Sequence, residues 1–173
     1  MRYVPGSNPR KLGGFAAGLL LLAGCGGGSG AETTPEQVVR GSGYRFSAPA
    51  EWAVTRSPRL VQASEGIRLV SVTRYPLVRP FRPGLWQRVV PELDRAAADV
   101  ARQQQGAISA SRTLVVSGRQ ARSYDIDYEH DGKSLVERIT FVLRGKTEYY
   151  LLCRYEGGDT DACERLLATF TLG

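Results

Sequence analysis

The sequence predicts an α+β fold, with an antiparallel sheet of about six to seven strands packed against two or more helices. Three observations carry that expectation. Short runs of alternating apolar and polar residues, separated by turn residues, fill 44–75 and 108–155. One pair of such runs flanks Asp131-Gly132, a strong two-residue hairpin signal. Two other stretches, 86–105 and 162–170, have helical spacing, and each carries one apolar stripe that a sheet would cover.

The elements follow in order. Tyr44-Arg45-Phe46 alternates as a strand, Pro49 interrupts, and Trp52-Ala53-Val54 resumes extended structure. Leu60 to Ala63 and Ile67 to Tyr75 flank Glu65-Gly66 and read as a hairpin. Three prolines between Pro76 and Gly84 predict irregular structure there. Trp86, Val89, Val90, Leu93, Ala97 and Val100 make the first helical stripe, with Pro91 in its first turn or kinking its start. Gly106 is the expected C′ residue of that helix.

Strands are then expected over Ile108–Val116, Tyr124–Tyr128, Leu135–Leu143 and Thr147–Tyr155, with turns at Ser117-Gly118, Asp131-Gly132 and Arg144-Gly145-Lys146. The Asp131-Gly132 turn sets a register pairing Asp125 with Arg138 and Tyr124 with Ile139. Tyr124, Ile126, Tyr128, Leu135, Ile139, Phe141 and Leu143 then share an apolar face. Asp125, Asp127, Glu129 and Arg138 share the other, read as solvated, and only Glu137 falls on the apolar face against the pattern. Ala162, Cys163, Leu166, Leu167 and Phe170 mark the closing helix.

The N-terminus has its own logic. Arg2, Arg10 and Lys11 precede a short apolar run to Ala23, too short to cross a bilayer as a helix. This is the pattern of a secretory signal, read over 1–24. Its end, Leu22-Ala23-Gly24-Cys25, resembles the lipobox of bacterial lipoproteins. That resemblance implies a diacylglycerol on the Cys25 thiol, cleavage just before it, and anchoring to a membrane through acyl chains. Residues 25–43, opening with Gly26-Gly27-Gly28-Ser29-Gly30, read as a flexible tether with an end-to-end distance of about 20–25 Å. Residues 44–173 are then one domain, long enough for a core of its own.

The net charge of +6 falls to +3 once 1–24 is removed, because that segment holds three cations and no acid. A charge of +3 does not argue for nucleic acid and mildly favours anionic lipid headgroups. With Cys25 lipidated, Cys153 and Cys163 remain, an even pair in an oxidising setting, and a disulfide between them is expected.

The segment Gly43-Tyr44-Arg45-Phe46-Ser47-Ala48-Pro49-Ala50-Glu51-Trp52-Ala53-Val54 resembles the opening of PsbP-like domains. The order that follows is also similar: hairpin, helix, meandering strands, and a terminal helix ending in Thr169-Phe170. The resemblance spans nearly the whole of 44–173. It implies a binding module, since members share a fold and a habit of binding proteins and no one reaction.

Chemistry has few places to reside. His130 is the lone histidine, beside a hairpin turn. Zinc is not expected from one His and two distant Cys. Asp127, Glu129, Asp131 and Gly132 partly mimic a calcium loop, but Arg138 stands where the closing glutamate should be. The expectation is therefore no enzyme, no metal and no cofactor. The proline segment is the candidate contact site: Arg74, Arg79, Phe81 and Arg82 combine exposed arginine with an aromatic, as interface anchors do. Trp52 and Trp86 are assigned to the core. The functional expectation is an extracytoplasmic, membrane-anchored accessory module that binds an envelope protein or complex. The alternative is a carrier of a lipid or other small ligand in a groove between sheet and helix.

Overall fold

The computed structural model describes residues 35–173. Cys25, the expected signal segment and most of the expected tether lie outside the described residues. The chain runs β1 (Glu36–Gly41), β2 (Tyr44–Pro49), β3 (Ala53–Arg56), β4 (Leu60–Glu65), β5 (Arg68–Phe81), α1 (Trp86–Gln103), β6 (Ala107–Val116), β7 (Arg119–His130), β8 (Lys133–Glu156), α2 (Asp161–Thr169) and β9 (Thr171–Leu172). The strands form two antiparallel sheets, ordered β1-β2-β9 and β3-β4-β5-β8-β7-β6. The fold is α+β, as the alternation and the two helical stripes require.

The end of the expected tether is corrected. Glu36–Gly41 pairs antiparallel with β2, Val39 opposite Phe46. Val39 is buried in the core, and this hydrophobic anchor holds the segment as a strand.

β8 is one extended segment that doubles back at Gly145, whose φ is +55°. The Phe141 and Tyr150 rings lie 5.3 Å apart, and Glu137 Oε1 accepts a 2.8 Å bond from Arg154 Nε. On a straight strand these pairs would sit roughly 30 and 55 Å apart. The first limb pairs with β7 and the second with β5. The turn expected at Arg144-Gly145-Lys146 is therefore present, and the large sheet is a meander closed by this fold-back.

The expected register of the β7–β8 hairpin holds, with Asp125 opposite Arg138 and Tyr124 opposite Ile139. Asp131 and Gly132 both take positive φ, 50° and 73°, the backbone that a tight two-residue turn demands. The apolar face meets α1: Trp86, Leu93, Ala97 and Ala101 pack on Tyr124, Ile126, Ile139 and Phe141. Pro91 lies inside α1, one turn later than a first-turn proline. The helix ends one residue earlier than expected. Gln105 takes the left-handed φ of 56°, and Gly106 N–H donates to the Ala101 carbonyl at 2.9 Å. Gly106 is needed for another reason: a Cβ there would lie 2.5 Å from the Asp127 carbonyl oxygen.

The opposite face of the sheet is not solvated, which corrects the reading of Asp125 and Arg138. The small sheet and α2 cover it, forming a second core around Val39, Phe46, Val72, Leu151, Leu166 and Phe170. Asp125 and Arg138 are buried within this layer. Cys153 on β8 and Cys163 on α2 are disulfide bonded, with Cα atoms 5.4 Å apart, and so fasten α2 to the sheet.

Candidate interaction surface

Regular structure persists through the proline segment, against expectation, because β5 reaches Phe81. Its pairing nonetheless breaks. Pro76 faces Thr147, and the next paired residue, Phe81, faces Gly145. Proline has no N–H to give a ladder, and the register shifts across the residues between. Val78 is 97% exposed there. Arg79 and Arg82 are exposed beside it. Phe81 does not join them: it is half-buried and meets Trp86 edge-on at 6.5 Å. Arg74 lies lower on the strand, opposite Tyr149, with its Nε buried and without a partner among the described residues. Of the four expected contact residues, the structure thus projects Arg79 and Arg82, half-covers Arg74, and turns Phe81 inward.

Topology brings more cations to the same end. The fold-back at Gly145 sits beside Phe81. Arg74 N–H donates to the Arg59 carbonyl, so the β3–β4 turn is adjacent. Ala121 opposite Val142 places the β6–β7 turn at this end. Ser117 Oγ accepts from Leu172 N–H at 3.1 Å, and Arg144 donates to the Gly173 carbonyl. β9 in turn pairs with Tyr44 and Arg45 of β2. This pole therefore gathers Arg40, Arg45, Arg56, Arg59, Arg74, Arg79, Arg82, Arg88, Arg119, Arg144 and Lys146. None of the eleven forms an ion pair among the described residues. Among the described residues Glu148 is the one acidic side chain on the turns and strand ends there, and burial pushes its pKa up. Burial also pushes the Tyr44 hydroxyl up to about 12, against the pull of Arg74 and Arg56.

The far pole differs in kind. Glu51, Glu65, Asp127, Glu129, Asp131, Glu156, Asp159 and Asp161 cluster around its turns. Its cations are neutralised, Arg68 by Glu65 and Asp159, and Lys133 by Glu156 at 2.9 Å. His130 is exposed there, 3.5 Å from Asp131. Asp127 is held by Ser109 Oγ at 2.9 Å. No group of three or more His, Cys, Asp or Glu is placed to hold a metal ion among the described residues. Glu137, the acid on the apolar face, is buried against Arg154 at 2.5 Å, Tyr128 Oη at 3.2 Å and Gln104 Nε2 at 2.5 Å. What the basic pole can do chemically is attract and hold anions.

Sequence reasoning found three members of this pole, Arg74, Arg79 and Arg82, and missed the rest. A signal was present, since residues 66–91 hold five arginines and no acid. The cations contributed by the other turns join them only through strand pairing.

No protein-family model matches the chain, and comparison with curated proteins finds none similar in sequence. A crystal structure from Bacteroides thetaiotaomicron VPI-5482 superposes with a TM-score of 0.57 over 80% of this chain at 8% identity. The chain spans about half, 48%, of that protein. A Pseudomonas aeruginosa protein of unknown function gives a TM-score of 0.41 at 14% identity, covering 75% of this chain and 88% of its own. LpqN, involved in cell envelope biogenesis in Mycobacterium tuberculosis, gives 0.44 at 12% identity, covering 80% and 90%. The first likeness shows the fold alone. Among the described residues no helix is long and apolar enough to cross a membrane.

Proposed function

We propose that this chain is a membrane-anchored, extracytoplasmic lipoprotein with a PsbP-like domain, working as a non-catalytic accessory module that binds an envelope protein or complex. The lipobox-like Leu22-Ala23-Gly24-Cys25 and the PsbP-like order of elements support it. The observation that carries it is the register-shifted end of β5, where Val78, Arg79 and Arg82 are exposed with no ion-pair or ladder partner among the described residues. Exposed arginine beside an apolar residue on a proline-stiffened segment loses little entropy on docking.

A carrier role is the second reading. An open groove of about 530 Å³ runs between β6 and α2, lined by Leu114, Val115, Leu167 and Ala168 together with the charged Arg112, Arg138 and Glu164. One experiment separates the two. Native mass spectrometry of the protein gently extracted from its own membranes should find a protein-sized addition. The Arg79→Glu/Arg82→Glu variant should lose it with an unchanged melting temperature. A small adduct surviving in both forms would favour the carrier. A protein-sized addition that survives the double reversal would place the contact elsewhere.

A further inference from the structure

We infer that the basic pole docks on the surface of an anionic phospholipid bilayer, with Val78 entering the headgroup layer. The inference rests on the reading above only in taking this pole as the contact face, and it names a different occupant.

Three observations favour a bilayer over an acidic protein. The eleven cations, without an ion pair among the described residues, come from separate turns and element ends that strand pairing gathers at one pole. A protein partner would need carboxylates placed to match such a scattered array, whereas a lipid surface supplies mobile phosphates wherever a cation arrives. Ten of the eleven are arginines, whose weakly hydrated, forked guanidinium suits phosphate oxygens. The most exposed large apolar side chain among the described residues, Val78 at 97%, has Arg79 next to it and the half-buried Leu77 before it in the chain. An exposed apolar tip at a cation-rich end of the fold is the combination that interfacial binding uses. Cations near an anionic surface add to the attraction one by one, and among the described residues the half-buried Glu148 is the acidic side chain on the turns and strand ends of this pole.

The test uses the full chain carrying Cys25→Ser, so that no acyl chain contributes. It is sedimented with phosphatidylcholine vesicles made with and without phosphatidylglycerol. Binding should rise with phosphatidylglycerol and fall with added salt. Arg79→Glu/Arg82→Glu/Lys146→Glu should weaken the phosphatidylglycerol-dependent part by about a hundredfold, from the loss of three contributions, at an unchanged melting temperature. Val78→Trp should strengthen binding and give a blue-shifted emission on the vesicle. Equal sedimentation with both vesicle types, or indifference to the triple reversal, overturns the inference. If the wild type ignores phosphatidylglycerol while the double reversal still loses its protein addition, the lipid inference fails and the protein-binding reading stands. If vesicle binding follows the charges while the protein addition survives reversal, the outcome is the opposite.

Discussion

Asp125 is the residue at which local pattern and tertiary setting disagree most. Alternation puts it on a polar face with Asp127 and Glu129, and those two do remain on the surface, Asp127 exposed and bonded to Ser109. Asp125 is instead roofed by α2 and clamped by Arg138, whose Nε and Nη2 donate to its two oxygens at 2.7 and 3.2 Å, and by Arg112 at 3.1 Å. Burial alone would raise its pKa, but the two guanidinium groups outweigh burial and hold it below the usual carboxylate value. A carboxyl depressed in the folded state contributes stability that is present above its unfolded pKa, about 3.9, and is lost as pH falls through the folded value. Replacing Asp125 by Ala leaves a buried guanidinium short of a partner. It should cost about 3 kcal/mol, or a fall of about 10 °C in melting temperature. In calorimetry at stepped pH, the Asp125→Asn variant should lose less stability than the wild type on acidification below about pH 4. An equal loss in both would mean that another group drives acid unfolding. The sequence reveals the pairing of Asp125 with Arg138, because the Asp131-Gly132 turn dictates register. It hides the burial, because burial is decided by what packs on top.

Elements were legible where turn chemistry is local. The hairpins at Ser117-Gly118, Asp131-Gly132 and Gly145 follow from residues that accept positive φ. β1 was hidden because Glu36-Gln37-Val38-Val39-Arg40 follows a glycine-rich stretch and carries a single buried side chain, Val39. The β5 extension was hidden because proline excludes ladder donation and does not exclude extended backbone: Pro76 still faces Thr147 as a paired residue. The α1–β6 junction teaches a related lesson about Gly106. It looks like a helix stop, but Gln105 makes the left-handed turn, and Gly106 lets the chain pass against the Asp127 carbonyl. Gly106→Ala should therefore cost about 2 kcal/mol through steric crowding. Gly84→Ala, where an added Cβ meets nothing, should be near neutral. Urea midpoints of the two variants check this, and comparable losses would refute the crowding argument.

At the scale of the whole molecule, net charge says little, since acids and bases are sorted to opposite ends of the sheet. The sorting was illegible beforehand because distant segments supply each pole. Arg40, Arg82 and Arg144 are far apart in sequence, and only the antiparallel returns of the meander bring their turns together. A twelve-residue strand is about 40 Å long, whereas charges in physiological salt are felt over about 8 Å. Each end is therefore sensed on its own, and the domain of residues 35–173 behaves as a long dipole. Near a charged surface it rotates before it touches. On chromatography it should be held at neutral pH by both a cation exchanger and an anion exchanger, one end gripping each resin. Arg79→Glu/Arg82→Glu should elute earlier from the first and no earlier from the second.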